Sequence, residues 1–234
     1  MAAPRSTLLT RPSLALVTLL LVALLLRAST FGDPNLHGDE VFYHTVGLAM
    51  HDGALPYVDI WDRKPFGLFA LYYLITGISQ APLTYQLAAT LSAAGTAAAI
   101  AAMARRWAAP LGAWLAGVAY LLWLAPMQGF GGQSPVFYNL FIAVAGLLVL
   151  RCLPALRHGR PTAGMLLAML LAGIGITIKT TALFEGAFLG LFALVTLWRS
   201  SATFGQVCRA GLTWALAGGG PPLLVLGVFF ARGP

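Results

Sequence analysis

Acidic residues are scarce in this chain. It has seven Asp and Glu in 234 residues against fourteen Lys and Arg, and charged residues make up 9% of it. A soluble domain carries about 25%. With 59% hydrophobic residues and a mean hydropathy of +0.82, the chain is expected in a bilayer rather than around a water-exposed globular core. Cysteine is almost missing as well. Cys152 and Cys208 both lie beside Arg-bearing connections expected in the cytoplasm, which argues for free thiols and against a disulfide framework. No polar stretch is long enough for a soluble domain or linker, and no repeat is present. The net charge of +7 does not point to nucleic acid, because the basic residues sit at the ends of apolar runs.

The apolar runs cover approximately 12–30, 66–82, 84–104, 109–126, 136–153, 162–178, 181–198 and 211–231. Most are long enough to cross about 30 Å of hydrocarbon as helix, the form that satisfies the backbone in lipid. The first run follows Arg5 and Arg11 and resembles a secretory signal, but Arg27 interrupts the small-residue cleavage pattern and further spans follow. A retained first helix is expected. The connections around Arg105–Arg106, Arg151–Arg160 and Arg199–Arg209 are basic and free of acid, which places them, with the N-terminus, in the cytoplasm. Parity then forbids both 66–82 and 84–104 from spanning. The weaker run, 66–82, follows Lys64-Pro65 and is broken by Gly77, Ser79 and Pro82, so it is expected along the outer interface. The expected architecture is an all-α polytopic transmembrane bundle with about seven crossings, residues 1–234 forming one domain. Eight crossings is the alternative. The chain stops at FFARGP after an apolar segment and reads as the N-terminal part of a longer protein.

Six of the seven acids, Asp33, Asp39, Glu40, Asp52, Asp59 and Asp62, fall in the first outward segment, 31–82. So do His37, His44 and His51. Residues 39–51 have helical periodicity, with Val41, Phe42, Thr45, Leu48 and Ala49 on one face and Glu40, Tyr43, His44, Gly47 and His51 on another. That pattern predicts an amphipathic helix on the outer membrane surface, with Asp39 and Glu40 in its first turn and Gly53 as its stop. ALPYVDIWD is then expected to be extended, because Pro56 bars helix just before it. Pro65 suits the first position of the next helix. Lys64 and the free N–H groups of that helix would form an anion site suited to phosphate, with Arg63 able to add to it.

These residues carry a resemblance. DEVFYHTVGLAMHDGALPYVDIWDRKPF is similar to the first outer loop of membrane glycosyltransferases of the GT-C fold, in the protein O-mannosyltransferase and aminoarabinose transferase group. Members show Asp-Glu after helix one, then Tyr, Gly, Pro-Tyr-x-Asp and Lys-Pro-Pro. The matching positions are Asp39-Glu40, Tyr43, Gly53, Pro56-Tyr57-Val58-Asp59 and Lys64-Pro65, with Phe66 in place of the second proline. The match covers roughly 33–75, and the helix pattern agrees more loosely through 200.

The resemblance implies an enzyme that moves a mannose- or arabinose-type sugar from a polyprenyl-phosphate donor to a hydroxyl of a protein, lipid or glycan, with inversion. Asp39 would be the catalytic base. Lys64, aided by Arg63, would hold the departing phosphate. Glu40 would shape the site or bind a hydroxyl, Tyr57 and Trp61 would line the sugar, and Tyr43 and Asp59 complete the substrate-binding set. No cofactor is implied. A divalent metal held by Glu40 and His44, with His37 and His51 nearby, is a weak constellation without fixed ligand geometry.

Elsewhere, Gln133, Tyr138 and Asn139 lie in a second outward loop, Met127–Asn139, where they are candidates to bond a sugar. Lys179 ends the run 162–178 on the outer side; it is either an ion-pair partner of Glu185 or a contact to phosphate or sugar. The expected location is a bacterial plasma membrane. The competing readings are a lipid-phosphate transporter or flippase, and a non-catalytic paralogue that keeps the fold.

Overall fold

The computed structural model describes residues 11–33 and 38–232. Among these residues there are nine α-helices and no strand: α1 Pro12–Arg27, α2 Gly38–His51, α3 Phe66–Ile78, α4 Pro82–Ala104, α5 Pro110–Leu124, α6 Ser134–Arg157, α7 Ala163–Ile178, α8 Ala182–Trp198 and α9 Phe204–Arg232. A short 3-10 turn, Ala28–Thr30, extends α1. Proline starts several helices for the reason expected, since its fixed φ and missing N–H suit the first turn. Pro12, Pro82, Pro110 and Pro135 all fall there.

Four helices are long and apolar enough to cross a membrane: Pro12–Thr30, Pro82–Ala104, Ser134–Arg157 and Phe204–Ala231. Four more apolar helices, α3, α5, α7 and α8, are shorter. At about 1.5 Å per residue, the 13 residues of α3 extend only about 20 Å.

Two buried clusters organise the bundle. The first joins α1 to α5 and the start of α6, with Leu19, Tyr43, Phe69, Tyr72 and Ala97 at its centre. The second joins the rest of α6 to α7, α8 and α9 around Leu156, Met165, Leu197 and Trp214. Small residues allow close helix approach in lipid, where packing rather than water exclusion drives association. A Cβ at Gly117 would lie 2.7 Å from the Ala97 carbonyl, and one at Gly173 would meet Gly218.

The connections sort to opposite ends. Arg27, residues 32–33, the N-terminus of α2, Lys64, Gln86, residues 129–132 and Thr177 adjoin one another at one end. Residues 159 and 201–202 meet at the other, where Thr162 also bonds Cys152. Both cysteines are free. The acidic segment and the basic connections therefore occupy different ends, as the sequence predicts.

α2 and α3 lie side by side and run in the same direction. Asp39 meets Lys64, Gly47 meets Tyr72, and His51 meets Thr76. The N-terminus of α3 abuts Thr177, while its C-terminus passes through three residues into α4, whose first turns reach residues 32–33. Both ends of α3 thus belong to the same end of the bundle, and α3 lies across it.

Candidate functional site

Asp39 and Lys64 come together. Lys64 Nζ stands 3.1 Å from Asp39 Oδ2, the ion pair formed among the described residues. Tyr43, one helical turn after Asp39, donates its hydroxyl to the same oxygen at 3.1 Å, and the Lys64 ammonium lies 5.3 Å from the Tyr43 ring centre. Burial, then the Asp39 charge, pushes the Tyr43 phenol up, so it stays a donor. The Asp39 side chain is 47% exposed and that of Lys64 24%, which leaves the pair open to a reactant.

Lys64 is positioned by its own segment. Its backbone N–H donates to Asp62 Oδ1 at 2.7 Å, and its carbonyl accepts the Tyr57 hydroxyl at 2.6 Å. Tyr57 has φ +71, rare for an aromatic residue, and its N–H bonds the Ile60 carbonyl at 2.7 Å. Asp59 accepts from the Leu55 N–H at 2.8 Å. Residues 55–60 are therefore a compact turn with an isolated Pro56–Ile60 bridge, which corrects the extended segment expected there. Pro56 excludes helix before it but does not dictate strand. Local bonds from Asp59 and Tyr57 make the turn instead. Burial, reinforced by Asp62, pushes the Tyr57 phenol up to about 12. Pro65 is the N-cap of α3 and Phe66 its first residue, one position later than expected.

Glu40 has a different fate from its neighbour. It is fully buried and accepts a hydrogen bond from the Gly132 N–H. Around it, Arg27 donates to Gly129 O at 3.0 Å, to Gly131 O and to Thr90 Oγ1 at 3.2 Å. The Tyr72 hydroxyl donates to Gly132 O at 2.7 Å. The second outward loop is thus clamped by its backbone between a guanidinium and a carboxylate. Of the two roles expected for Glu40, its geometry is that of shaping the site. Arg27 was read from the sequence only as a break in a cleavage pattern; its signal was a cation at the end of an apolar helix, where charge is costly unless paired.

The two predicted faces of α2 differ in burial: Glu40, Tyr43 and Gly47 on one are buried, whereas Thr45 on the other is exposed. In a membrane bundle the polar and small residues seek protein partners, and the apolar face can meet lipid. A Cβ at Gly47 would lie 2.9 Å from the Tyr72 backbone, so α2 and α3 touch there.

Lys179, at the C-cap of α7, lies with its Nζ 5.8 Å from the Tyr138 ring centre. Burial and the nearby Lys64 lower its affinity for a proton, and Glu185 and Asp39 oppose this. It forms no ion pair with Glu185, although Glu185 sits in the first turn of α8. Gln133 is buried as the N-cap of α6, and Asn139 donates to the Tyr120 hydroxyl at 3.3 Å. Arg63 and Trp61 are exposed.

His44 packs its ring on Tyr85, with centroids 5.2 Å apart, and its Nε2 is buried without a partner. His51 stacks on Tyr73 and bonds Tyr73 O and Thr76 Oγ1 at 3.1 and 3.2 Å. His37 lies outside the described residues. Among the described residues no three His, Cys, Asp or Glu side chains converge.

Next to the ion pair, a groove of about 470 Å³ opens between Tyr57, Pro65, Phe66 and the facing sides of α7 and α9. Its walls are apolar except for Thr177 and Thr180. Pro65, which follows Lys64, and Tyr57, whose hydroxyl bonds the Lys64 carbonyl, both line this groove. No protein-family model, curated protein or solved structure matches the chain. The functional reading rests on this geometry and on the first-loop motif.

Proposed function

We propose that the chain is a GT-C-type glycosyltransferase that moves a mannose- or arabinose-type sugar from a polyprenyl-phosphate donor to a hydroxyl on the outer face of the plasma membrane. The proposed topology has seven crossings, a cytoplasmic N-terminus and α3 lying at the outer interface. The observation that carries the reading is the Asp39–Lys64 pair, 3.1 Å apart, beside an apolar groove.

In this mechanism the donor phosphate rests against Lys64 and the N-terminus of α3, with Lys179 adding positive charge, and its prenyl chain enters the groove. An anion there competes with Asp39 for the ammonium, which frees the carboxylate to act as a base. The acceptor hydroxyl attacks the anomeric carbon, a new carbon–oxygen bond forms, and its proton passes to Asp39. The bond from that carbon to the phosphate oxygen breaks with inversion, and the phosphate leaves with the electron pair. Lys64 stabilises its developing charge. The phosphate is a good leaving group, so the mechanism calls for no general acid. Tyr43 holds Asp39 in place, while Tyr57 and Asp59 hold the Lys64 loop.

The test is sugar transfer in membranes with a panel of radiolabelled polyprenyl-phosphate sugars, wild type against Asp39→Asn. Loss of about 100-fold or more in transfer with donor binding retained is expected for a missing base. Equal activity in both would remove Asp39 from the mechanism.

A further inference from the structure

The segment between α2 and α3 is polar in sequence but not in what it presents. Residues 55–64 hold two acids and two cations, so their formal charges cancel. Both acids turn back on their own backbone: Asp59 accepts from the Leu55 N–H and Asp62 from the Lys64 N–H. Tyr57 donates its N–H to Ile60 O at 2.7 Å, and Val58 and Asp59 donate theirs to Leu55 O at 3.2 and 2.9 Å. Pro56 has no N–H to satisfy. Residues 55–59 therefore carry no unpaired backbone donor, which is the condition for a turn to leave water.

The side chains that remain outside are apolar. Pro56 is buried, and Tyr57 and Ile60 pack against the first cluster. Leu55, Val58 and Trp61 are exposed, Val58 by 67% and Trp61 by 78%. This surface runs on into α9. The Tyr57 ring meets that of Phe229 edge to face with centres 5.3 Å apart. Around Phe229, α9 exposes Leu226, Val228 and Phe230, and this helix is long and apolar enough to span.

We propose that the turn Leu55–Trp61 is a membrane-inserting knuckle, seated in the interfacial layer of the leaflet at this end of the bundle. An exposed apolar patch marks a membrane or a partner contact, and continuity with the exposed apolar side of α9 selects lipid. Trp61 suits the headgroup level, where its ring is covered while its N–H stays wet. Asp59 is exposed and limits the depth, since a carboxylate is costly in hydrocarbon. The insertion also reaches the Asp39–Lys64 pair. The Tyr57 hydroxyl bonds the Lys64 carbonyl and Asp62 bonds its N–H, so the turn ties the height of Lys64 to the membrane surface.

The test uses the full chain in nanodiscs with Trp61 as its only tryptophan, the other five being replaced by Phe. Emission is read with lipids brominated near the carbonyl end or near the methyl end of their chains, and with iodide in the water. The expected result is a shift to shorter wavelength, stronger quenching by carbonyl-end than by methyl-end bromine, and loss of iodide quenching. Emission like that of free tryptophan with full iodide quenching would overturn the proposal and leave the surface to a soluble partner. Strongest quenching by methyl-end bromine would overturn it too, by placing Trp61 in the hydrocarbon. Should the protein with Trp61 alone fail to fold, an environment-sensitive NBD label on Val58→Cys decides, with Cys152 and Cys208 replaced by Ser. Its emission should be brighter and at shorter wavelength than that of the same label on Asp52→Cys, an exposed position before the turn. Equal emission from the two sites would overturn the proposal. Neither readout involves sugar transfer, so failure of the glycosyltransferase reading would leave this result standing.

Discussion

Asp39 and Glu40 are neighbours in sequence, yet helix geometry sends one to an open site and the other to the protein interior. Successive helix positions point about 100° apart, so an adjacent pair of acids must divide its roles. The sequence marks Asp39 by its company of lysine and tyrosine, and that reading places it beside Lys64. It gave the two carboxylates different roles but could not show that Glu40 is buried, because its partner is a backbone N–H at Gly132, far along the chain. His44 illustrates the same limit. Its neighbour Tyr85 and its buried nitrogen belong to packing between elements.

Burial holds the His44 imidazole below its ordinary value of 6.5. The unfolded chain therefore takes up the proton first as pH falls, and stability contributed by the neutral ring is lost in acid. Thermal melting in detergent should show a fall between about pH 7 and about pH 5. His44→Gln should flatten this fall. An unchanged slope in the variant would assign the acid sensitivity elsewhere.

At the scale of elements, the stops and starts were legible. Gly53, expected to end α2, has φ +93, a conformation that glycine adopts without penalty. Which face of α2 packs on protein was not legible, because the amphipathic pattern of a surface helix is the same whichever side meets protein. The loop Met127–Asn139 was read for its side chains Gln133, Tyr138 and Asn139, while in the structure backbone groups of residues 129–132 hold two charged side chains.

That segment carries the next prediction. Gly131 has φ +35, and a Cβ there would overlap the Glu40 carboxylate. Gly131→Ala is expected to destabilise the protein by about 2 kcal/mol or more, since a buried polar network would lose its geometry. The check is the melting temperature against Gly205→Ala, where no atom lies within 4 Å of the added group. Similar behaviour of the two variants would show that the loop tolerates displacement.

For the whole molecule, the all-helical, apolar character anticipated from composition is what the structure shows. Four helices meet the length and composition of a membrane span, while α5, α7 and α8 are shorter. The sequence reading ended the run 66–82 at Pro82 and noted breaks at Gly77 and Ser79. In the structure α3 ends at Ile78 and α4 begins at Pro82. Opposite placement of the acidic and basic connections yields a topological prediction. With both native cysteines replaced, Asp52→Cys should react with an impermeant maleimide in intact cells, and Ser201→Cys only after permeabilisation. Labelling of both without permeabilisation would refute the seven-crossing arrangement.

The Arg27 clamp also fixes an order of assembly. Arg27 emerges early in synthesis, but its carbonyl partners at Gly129 and Gly131 follow more than one hundred residues later, at separations of 102 and 104. Glu40 waits 92 residues for Gly132. Until residues 129–132 have been made, the guanidinium and the carboxylate lack these partners, and the first helix lacks this anchor. The contacts that fix the first helix are thus made only when a distant loop closes over charges laid down at the start.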